Sequence, residues 1–317
     1  MQRGPIFDKD YKPQFSGHET FPVRYGWLKK AFDRVAETEG ADDNRVACWG
    51  DDAIARFGVG KNMVSAIRHW SKVMGVIEEP STNVVKTTAF GQFLFGKDGI
   101  DPFMENPASL WLLHWMLASQ PQKTLWYWAF GYFPTMYFER ADMVSHMKRL
   151  ITEREWSPTA DKTIVNDVAC FIRTYVAPQK TAKSNQDDAL ESPLIELGLI
   201  RPADRSDGFR FVRGVKPSLG NGTFAFALID FWARHNSAQT LSFEAIVHEP
   251  GSPGRVFQLE ENDVVDRLVT IEETTDGAIK WSETAGLKQV VRSGSLKTGA
   301  ALDYARSDFN NRAREAA

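Results

Sequence analysis

The chain has 317 residues and a net charge of −3, with 43% hydrophobic and 25% charged residues. That length and apolar content suit two domains, each with its own core, and exclude a disordered tail. The charge excludes a globally basic nucleic-acid binder, so any basic surface has to be local. The two cysteines, Cys48 and Cys170, lack metal-ligand spacing and fit a reducing compartment. No apolar signal-peptide core opens the sequence. Its most apolar run, residues 109–118, is shorter than the about 20 residues that span a bilayer. The expectation is a cytoplasmic protein with no membrane partner.

In chain order, residues 1–14 read as a polar arm. The pattern then predicts a helix over 21–37, with Val23, Trp27, Leu28, Ala31, Phe32 and Val35 on one stripe, Thr20 as N-cap and Pro22 in the first turn. A short helix follows an Asp cap near residue 51, and Gly58-Val59-Gly60 makes a tight turn. A second helix runs from Lys61 to Met74 and stops at Gly75. Residues 76–79 and 84–88, around a turn at 80–83, read as a hairpin. Two helices, a glycine turn and a hairpin make a winged helix-turn-helix. Its second helix offers Lys61, Asn62, Ser65, Arg68, His69 and Lys72, residue types that meet phosphates and base edges. The same module serves protein contact or scaffolding, and that alternative stays open.

Helices are expected onward to Tyr175. The tryptophan-rich stretch 111–156 reads as helical core, with a base-stacking platform as the alternative. His114 and His146 read as packing histidines. Residues 177–185 are the linker candidate, giving domains 1–176 and 186–317. Beyond it the pattern predicts a short helix stopped at Gly198 and a strand, then strand-like "GFRFVRG" and helices in "FAFALIDFWARHN" and "SFEAIVHE". A turn around "SPGRVF", another helix and a closing hairpin over 278–293 complete it. The fold class is mainly α with small β-hairpins (α+β): an N-terminal winged helix-turn-helix, a helical middle and a mixed, winged-helix-like C-terminal domain.

No nucleotide loop, zinc spacing or nucleophile elbow is present. "GVGKN" at 58–62 lacks the ending of a phosphate loop and is read as the helix-turn-helix turn. Three clusters are candidates. In "FSGHETFPVRYGW" (15–27), Ser16 and Glu19 have the spacing of a capping box, and Arg24 could pair with Glu19. The same stretch could be chemical. His18 could transfer a proton, Glu19 could bind a metal or activate water, Arg24 could fork onto phosphate, and Tyr25 could be a nucleophile. Asp187, Asp188 and Glu191 suit either a helix dipole or a metal. Arg255, presented by the turn at 251–254, suits phosphate or a structural ion pair.

"FSGHETFPVRYGWLKK", "FGVGKNMVSAIRHW", "DPFMENPASLWLLHW", "ESPLIELGLI" and "SPGRVFQLEE" together resemble the bacterial family of domains of unknown function numbered four thousand and seven, of SspB type. The resemblance implies a DNA-nicking endonuclease in an Ssp DNA phosphorothioation system. There it would work beside a cysteine desulfurase (SspA), an SspC-type ATPase and an SspD-type ATP pyrophosphatase. The expected function is therefore a DNA nickase in a sulfur-modification-linked bacterial defence system, acting on double-stranded DNA. A divalent cation, with magnesium foremost, is the expected cofactor, and a homodimer is the assembly considered. The alternative is a non-catalytic winged-helix DNA-binding adaptor or regulator of the same system. Catalytic candidates are His18, Glu19, Arg24 and Tyr25. DNA-binding candidates are Lys61, Asn62, Ser65, Arg68, His69, Lys72 and Arg255, and metal candidates are Glu19, Asp187, Asp188 and Glu191.

Overall fold

The computed structural model describes residues 4–41, 43–178, 192–203, 208–284, 286–294 and 298–310. From the N-terminus come helices α1 (Trp27–Thr38), α2 (Asn44–Trp49), α3 (Ala53–Phe57) and α4 (Lys61–Val73), then strands β1 (Ile77–Glu78) and β2 (Lys86–Thr87). Helices α5 (Ala89–Phe95), α6 (Pro107–Ala118) and α7 (Thr124–Gly131) follow, then β3 (Tyr137–Phe138), α8 (Arg140–Glu153) and α9 (Asp161–Tyr175). After a 3-10 turn at Pro193–Leu197 come β4 (Ile200–Pro202), β5 (Phe209–Phe211), α10 (Asn221–His235), β6 (Thr240–Ser242) and α11 (Phe243–His248). The chain ends with α12 (Pro253–Val256), α13 (Glu261–Val269), α14 (Ile271–Thr274), β7 (Ile279–Thr284), β8 (Leu287–Arg292), α15 (Thr298–Ala305) and α16 (Ser307–Asn310). This is a mixed α+β chain, mainly helical, with small antiparallel sheets. Among the described residues no helix is long and apolar enough to cross a membrane.

Two compact units form, each from separate segments. The first holds Met1–Glu105, Pro121–Trp126 and Pro134–Phe211; the second holds Asn106–Gln120, Tyr127–Phe133 and Val212–Ala317. This division does not follow the expected one. Strand β5 pairs with β3 and β4 and so belongs to the first unit. The linker candidate lies outside the described residues from position 179 onward.

In the first unit, α1 buries Trp27, Leu28, Ala31, Phe32 and Val35, as its periodicity predicts. Helix α4 buries Val64, Ala66, Ile67 and Trp70. The turn before α4 uses Gly58 at φ 65, where a side chain would be strained. Strands β1 and β2 pair antiparallel. The buried Asn44 amide holds this hairpin against α2, donating to Val85 O at 2.7 Å and accepting from Val85 N–H at 2.9 Å.

The helix expected over 21–37 begins six residues late. Its N-cap is Gly26 at φ 78, not Thr20, and Pro22 lies outside the helix. The Ser16/Glu19 capping box does not form, because both residues have left-handed backbone (φ 61 and 48). Likewise "SPGRVF" is a short helix, α12, capped by Ser252 Oγ, and not a simple turn.

In the second unit, α6 and α10 are apolar around most of their circumference and form the core, with Trp111, Leu112, Leu113, Trp115 and Trp232 fully buried. The tryptophan-rich stretch of α6 is thus core. Its polar atoms are matched: Trp115 Nε1 donates to Asp230 Oδ2 at 2.8 Å, and His114 Nε2 lies 2.8 Å from Val256 O. Burial pushes His114 down to about 4, against the opposing pull of the Val256 carbonyl. Strands β6, β8 and β7 form an antiparallel sheet, its β7–β8 pair being the predicted closing hairpin.

The N-terminus of α10 has Gly220 as N-cap, which carries no capping oxygen. Asp308 supplies one from α16, accepting from Gly222 N–H at 3.1 Å and Thr223 N–H at 2.6 Å. A Cβ on Gly220 would collide with that carboxylate. Asp308→Ala should lower unfolding free energy by about 0.5–2 kcal/mol, the range for a lost cap. Urea titration of the intact chain checks this, and an unchanged midpoint would mean the contact carries no stability.

Candidate functional site

Residues 16–20 form a clasp of strained backbone. Ser16 (φ 61), Glu19 (φ 48) and Thr20 (φ 66) are non-glycine residues in the left-handed region, with Gly17 (φ 86) among them. Strain of this kind persists only where surrounding contacts over-determine it, and it clusters at functional sites. Here the contacts come from a buried carboxylate. Asp167, in the middle of α9, is 1% exposed. Its Oδ1 accepts from Ser16 N–H at 2.8 Å and from His18 Nε2 at 2.9 Å. His18 Nδ1 accepts from Thr20 N–H at 3.0 Å. That acceptor role places the imidazole proton on Nε2, where it points at Asp167.

Lys123, 2% exposed, closes the other side. Its ammonium donates to Ser16 O at 2.7 Å, sits 3.9 Å from Asp167 Oδ2 and lies 5.1 Å from the Trp126 ring centroid. Burial pushes Lys123 below the usual lysine range, with the Asp167 charge opposing. The clasp also rests on α4. Trp70 Nε1 donates to Phe21 O at 2.9 Å, and a Cβ on Gly17 would strike the His69 ring. Only glycine allows that approach.

The predicted residues of this stretch therefore divide. His18 is 1% exposed with both ring nitrogens engaged, so it orients the clasp. Tyr25 donates its hydroxyl to Glu196 Oε1; burial, with that bond and the Glu196 charge, pushes the phenol far above its ordinary value. A phenol held so is a poor nucleophile. Arg24 does not pair with Glu19. Its guanidinium lies 5.6 Å from the Phe21 ring centroid and 5.5 Å from that of Trp27, and its Nε is buried without a hydrogen bond. Glu19 is exposed and makes no hydrogen bond or ion pair among the described residues.

Helix α4 exposes Lys61, Asn62, Ser65 and Lys72. Arg68 is half-buried, and it shares Glu79 with Lys72: Arg68 Nε lies 2.5 Å from Oε1 and Lys72 Nζ 3.1 Å from Oε2. Burial alone would raise the Glu79 carboxyl, but these two cations bring it below the usual range. His69 is half-buried and sets its ring against Gly17 of the clasp. Its burial, with the charges of Lys123, His18 and Lys72, pushes it down to about 2, so it stays neutral. Arg255, in the second unit, is half-buried and donates to His248 O at 3.3 Å. Asp187, Asp188 and Glu191 lie outside the described residues. Among the described residues no group of three or more His, Cys, Asp or Glu could hold a metal. Asp167 was legible as an acid on the apolar stripe of Ile164, Val168 and Phe171, whereas Lys123 in "PQKTLW" carries no sequence signal.

The model of the family described as Protein of unknown function (DUF4007) matches residues 15–304. Two crystal structures are similar to this chain. Magnesium ion-bound SspB shares 30% identity at a TM-score of 0.81, with 95% of this chain and 94% of that chain covered. A second SspB structure shares 29% identity at a TM-score of 0.79, with 96% and 94% covered. No curated protein matches.

The unfolded chain binds a proton at His69 near its ordinary value of 6.5, and the folded chain does so only near about 2. The stability held by neutral His69 is therefore full above pH 6.5 and is lost as pH falls toward 2. Unfolding free energy should fall below about pH 6, with a slope approaching about 1.4 kcal/mol per pH unit for each such histidine. His69→Gln should flatten that slope in denaturant titrations at stepped pH, and an identical slope in the variant would contradict the assignment.

Proposed function

The chain belongs to the DUF4007 family, and from that premise we propose that it is an SspB-type DNA-nicking endonuclease of a phosphorothioation-linked defence system. The observation that carries this reading is Glu19, an exposed carboxylate with no partner among the described residues, carried on strained backbone that packs directly against α4. Helices α2 to α4 with β1 and β2 would act as a winged helix-turn-helix. In that module Lys61, Asn62, Ser65 and Lys72 present donors to a duplex, and Arg68 joins them when a phosphate replaces Glu79. The clasp would then lie behind the helix that grips DNA, linked to it through His69 and Trp70.

Nicking adds water across one P–O bond of the backbone. Glu19 would orient that water or hold a cation, and the Arg24 guanidinium would donate to a phosphate oxygen. The likeness to a magnesium-bound SspB supports a divalent cation. Magnesium keeps several waters and takes one or two carboxylates plus phosphate oxygens, so Glu19 fits as a single protein ligand. When bound, the cation would neutralise charge on the phosphoryl group. Asp187, Asp188 and Glu191 remain candidates for further ligands. Asp167, His18 and Lys123 would position Glu19 without touching substrate. SspC-type and SspD-type enzymes are the proposed partners.

A non-catalytic DNA-binding adaptor is the second reading. It is favoured by the structural engagement of His18 and Tyr25, whose polar atoms are bonded to Asp167, Thr20 and Glu196. Supercoiled plasmid with and without EDTA separates the two. Under the nickase reading, Glu19→Gln should cut nicking at least about a hundredfold while duplex binding and melting temperature barely move. Full nicking in that variant would return the clasp to architecture.

The DNA contact has its own test. Glu79 offsets one of the two positive charges of Arg68 and Lys72 and holds both side chains in the free protein, so Glu79→Gln should tighten duplex binding. Replacing both cations by Ala should weaken it and reduce the log–log salt slope by up to about 0.9 per phosphate contact. Unchanged affinity in both variants would remove α4 from the interface.

A further inference from the structure

The first unit carries a second surface with nucleic-acid chemistry. Its three-stranded sheet runs in the order β3, β5, β4. Phe138, Phe209 and Phe211 are buried. Across the strands Tyr137 stands opposite Arg210, and Arg210 opposite Arg201. Directly opposed residues of antiparallel strands share a face, the one away from their buried neighbours. Tyr137, Arg210 and Arg201 therefore form one row over about 10 Å, the width of two strand spacings.

Tyr137 is 66% exposed and touches no other ring among the described residues. Arg201 is exposed, Arg210 is half-buried, and neither has a carboxylate partner among the described residues. Like charges placed directly opposite each other are destabilising. Two described acids close by in sequence are engaged elsewhere: Glu139 forms a capping box with Asp142, and Glu196 accepts from Tyr25. An exposed ring beside two guanidinium groups on one sheet face, with no carboxylate partner among the described residues, is the arrangement that stacks an unpaired base and holds its phosphates. A duplex hides its base faces, so the ring favours a single strand over a double one.

We propose that the exposed face of β3, β5 and β4 binds a single DNA strand, with a base on Tyr137 and backbone phosphates on Arg201 and Arg210. The inference rests on the DNA reading above and adds a strand-binding surface separate from α4. It would retain a strand freed or opened beside a nick.

Fluorescence anisotropy of the full chain tests it, using a labelled oligothymidine of about 12 nucleotides, within the range of such sites, and a duplex of equal length. Tyr137→Ala should weaken oligothymidine binding at least about fivefold, and Tyr137→Phe should restore it. Arg201→Ala with Arg210→Ala should lower its log–log salt slope by about 0.7 per contact. Duplex affinity should be unchanged in all three. A wild-type chain that binds duplex but not oligothymidine overturns this inference alone; one that binds neither overturns the DNA reading itself. Oligothymidine binding unchanged in Tyr137→Ala, or duplex binding lost by the same factor, also overturns the inference.

Discussion

Asp167 is a carboxylate in the apolar middle of a helix, and a charge so buried costs several kcal/mol unless it is matched. Its match comes from residues far away in sequence: the Ser16 amide, the His18 imidazole and the Lys123 ammonium. Those partners define the clasp. Three non-glycine residues in the left-handed region cost about 3–6 kcal/mol together. Two hydrogen bonds to a charged acceptor contribute about the same. The strained loop and the buried charge thus stabilise each other, and neither is tenable alone.

The clasp transmits its position to α4. His69 fills the space that Gly17 leaves, Trp70 holds the carbonyl of Phe21, and Trp70 lies 20° from parallel to the His18 ring at 6.2 Å. A helix whose outer face carries Lys61, Asn62, Ser65 and Lys72 is thereby fixed, on its inner face, to the loop that carries Glu19. Under the nickase reading this is how grip and chemistry keep register. Under the adaptor reading the same contacts only stiffen the helix.

Local pattern was enough for much of the fold. The helices α1 and α4 have clean apolar stripes, Gly58 and Gly198 take the left-handed φ their turns require, and β7–β8 alternates as a hairpin should. Residues 15–27 were misread because Ser16, Glu19, Thr20 and Pro22 are individually good helix-start residues. The contact that decides their conformation spans 149 positions, from His18 to Asp167. No window of sequence contains it. Strands of two or three residues, such as β3, have no measurable period, so Tyr137 reads as part of a helical run. The pairing of Glu79 with Arg68 and Lys72 is set by the hairpin, not by spacing along a helix. Exposure of Glu19 and burial of His18, one residue apart, likewise follow from the clasp alone.

Amide hydrogen exchange at Ser16 and Thr20 tests most directly whether buried Asp167 holds this loop. The account predicts that both amides exchange only through large-scale opening, at rates near those of the α9 core, and that Asp167→Asn accelerates both. Exchange at the rate of an open surface loop, or protection unchanged by Asp167→Asn, would contradict it.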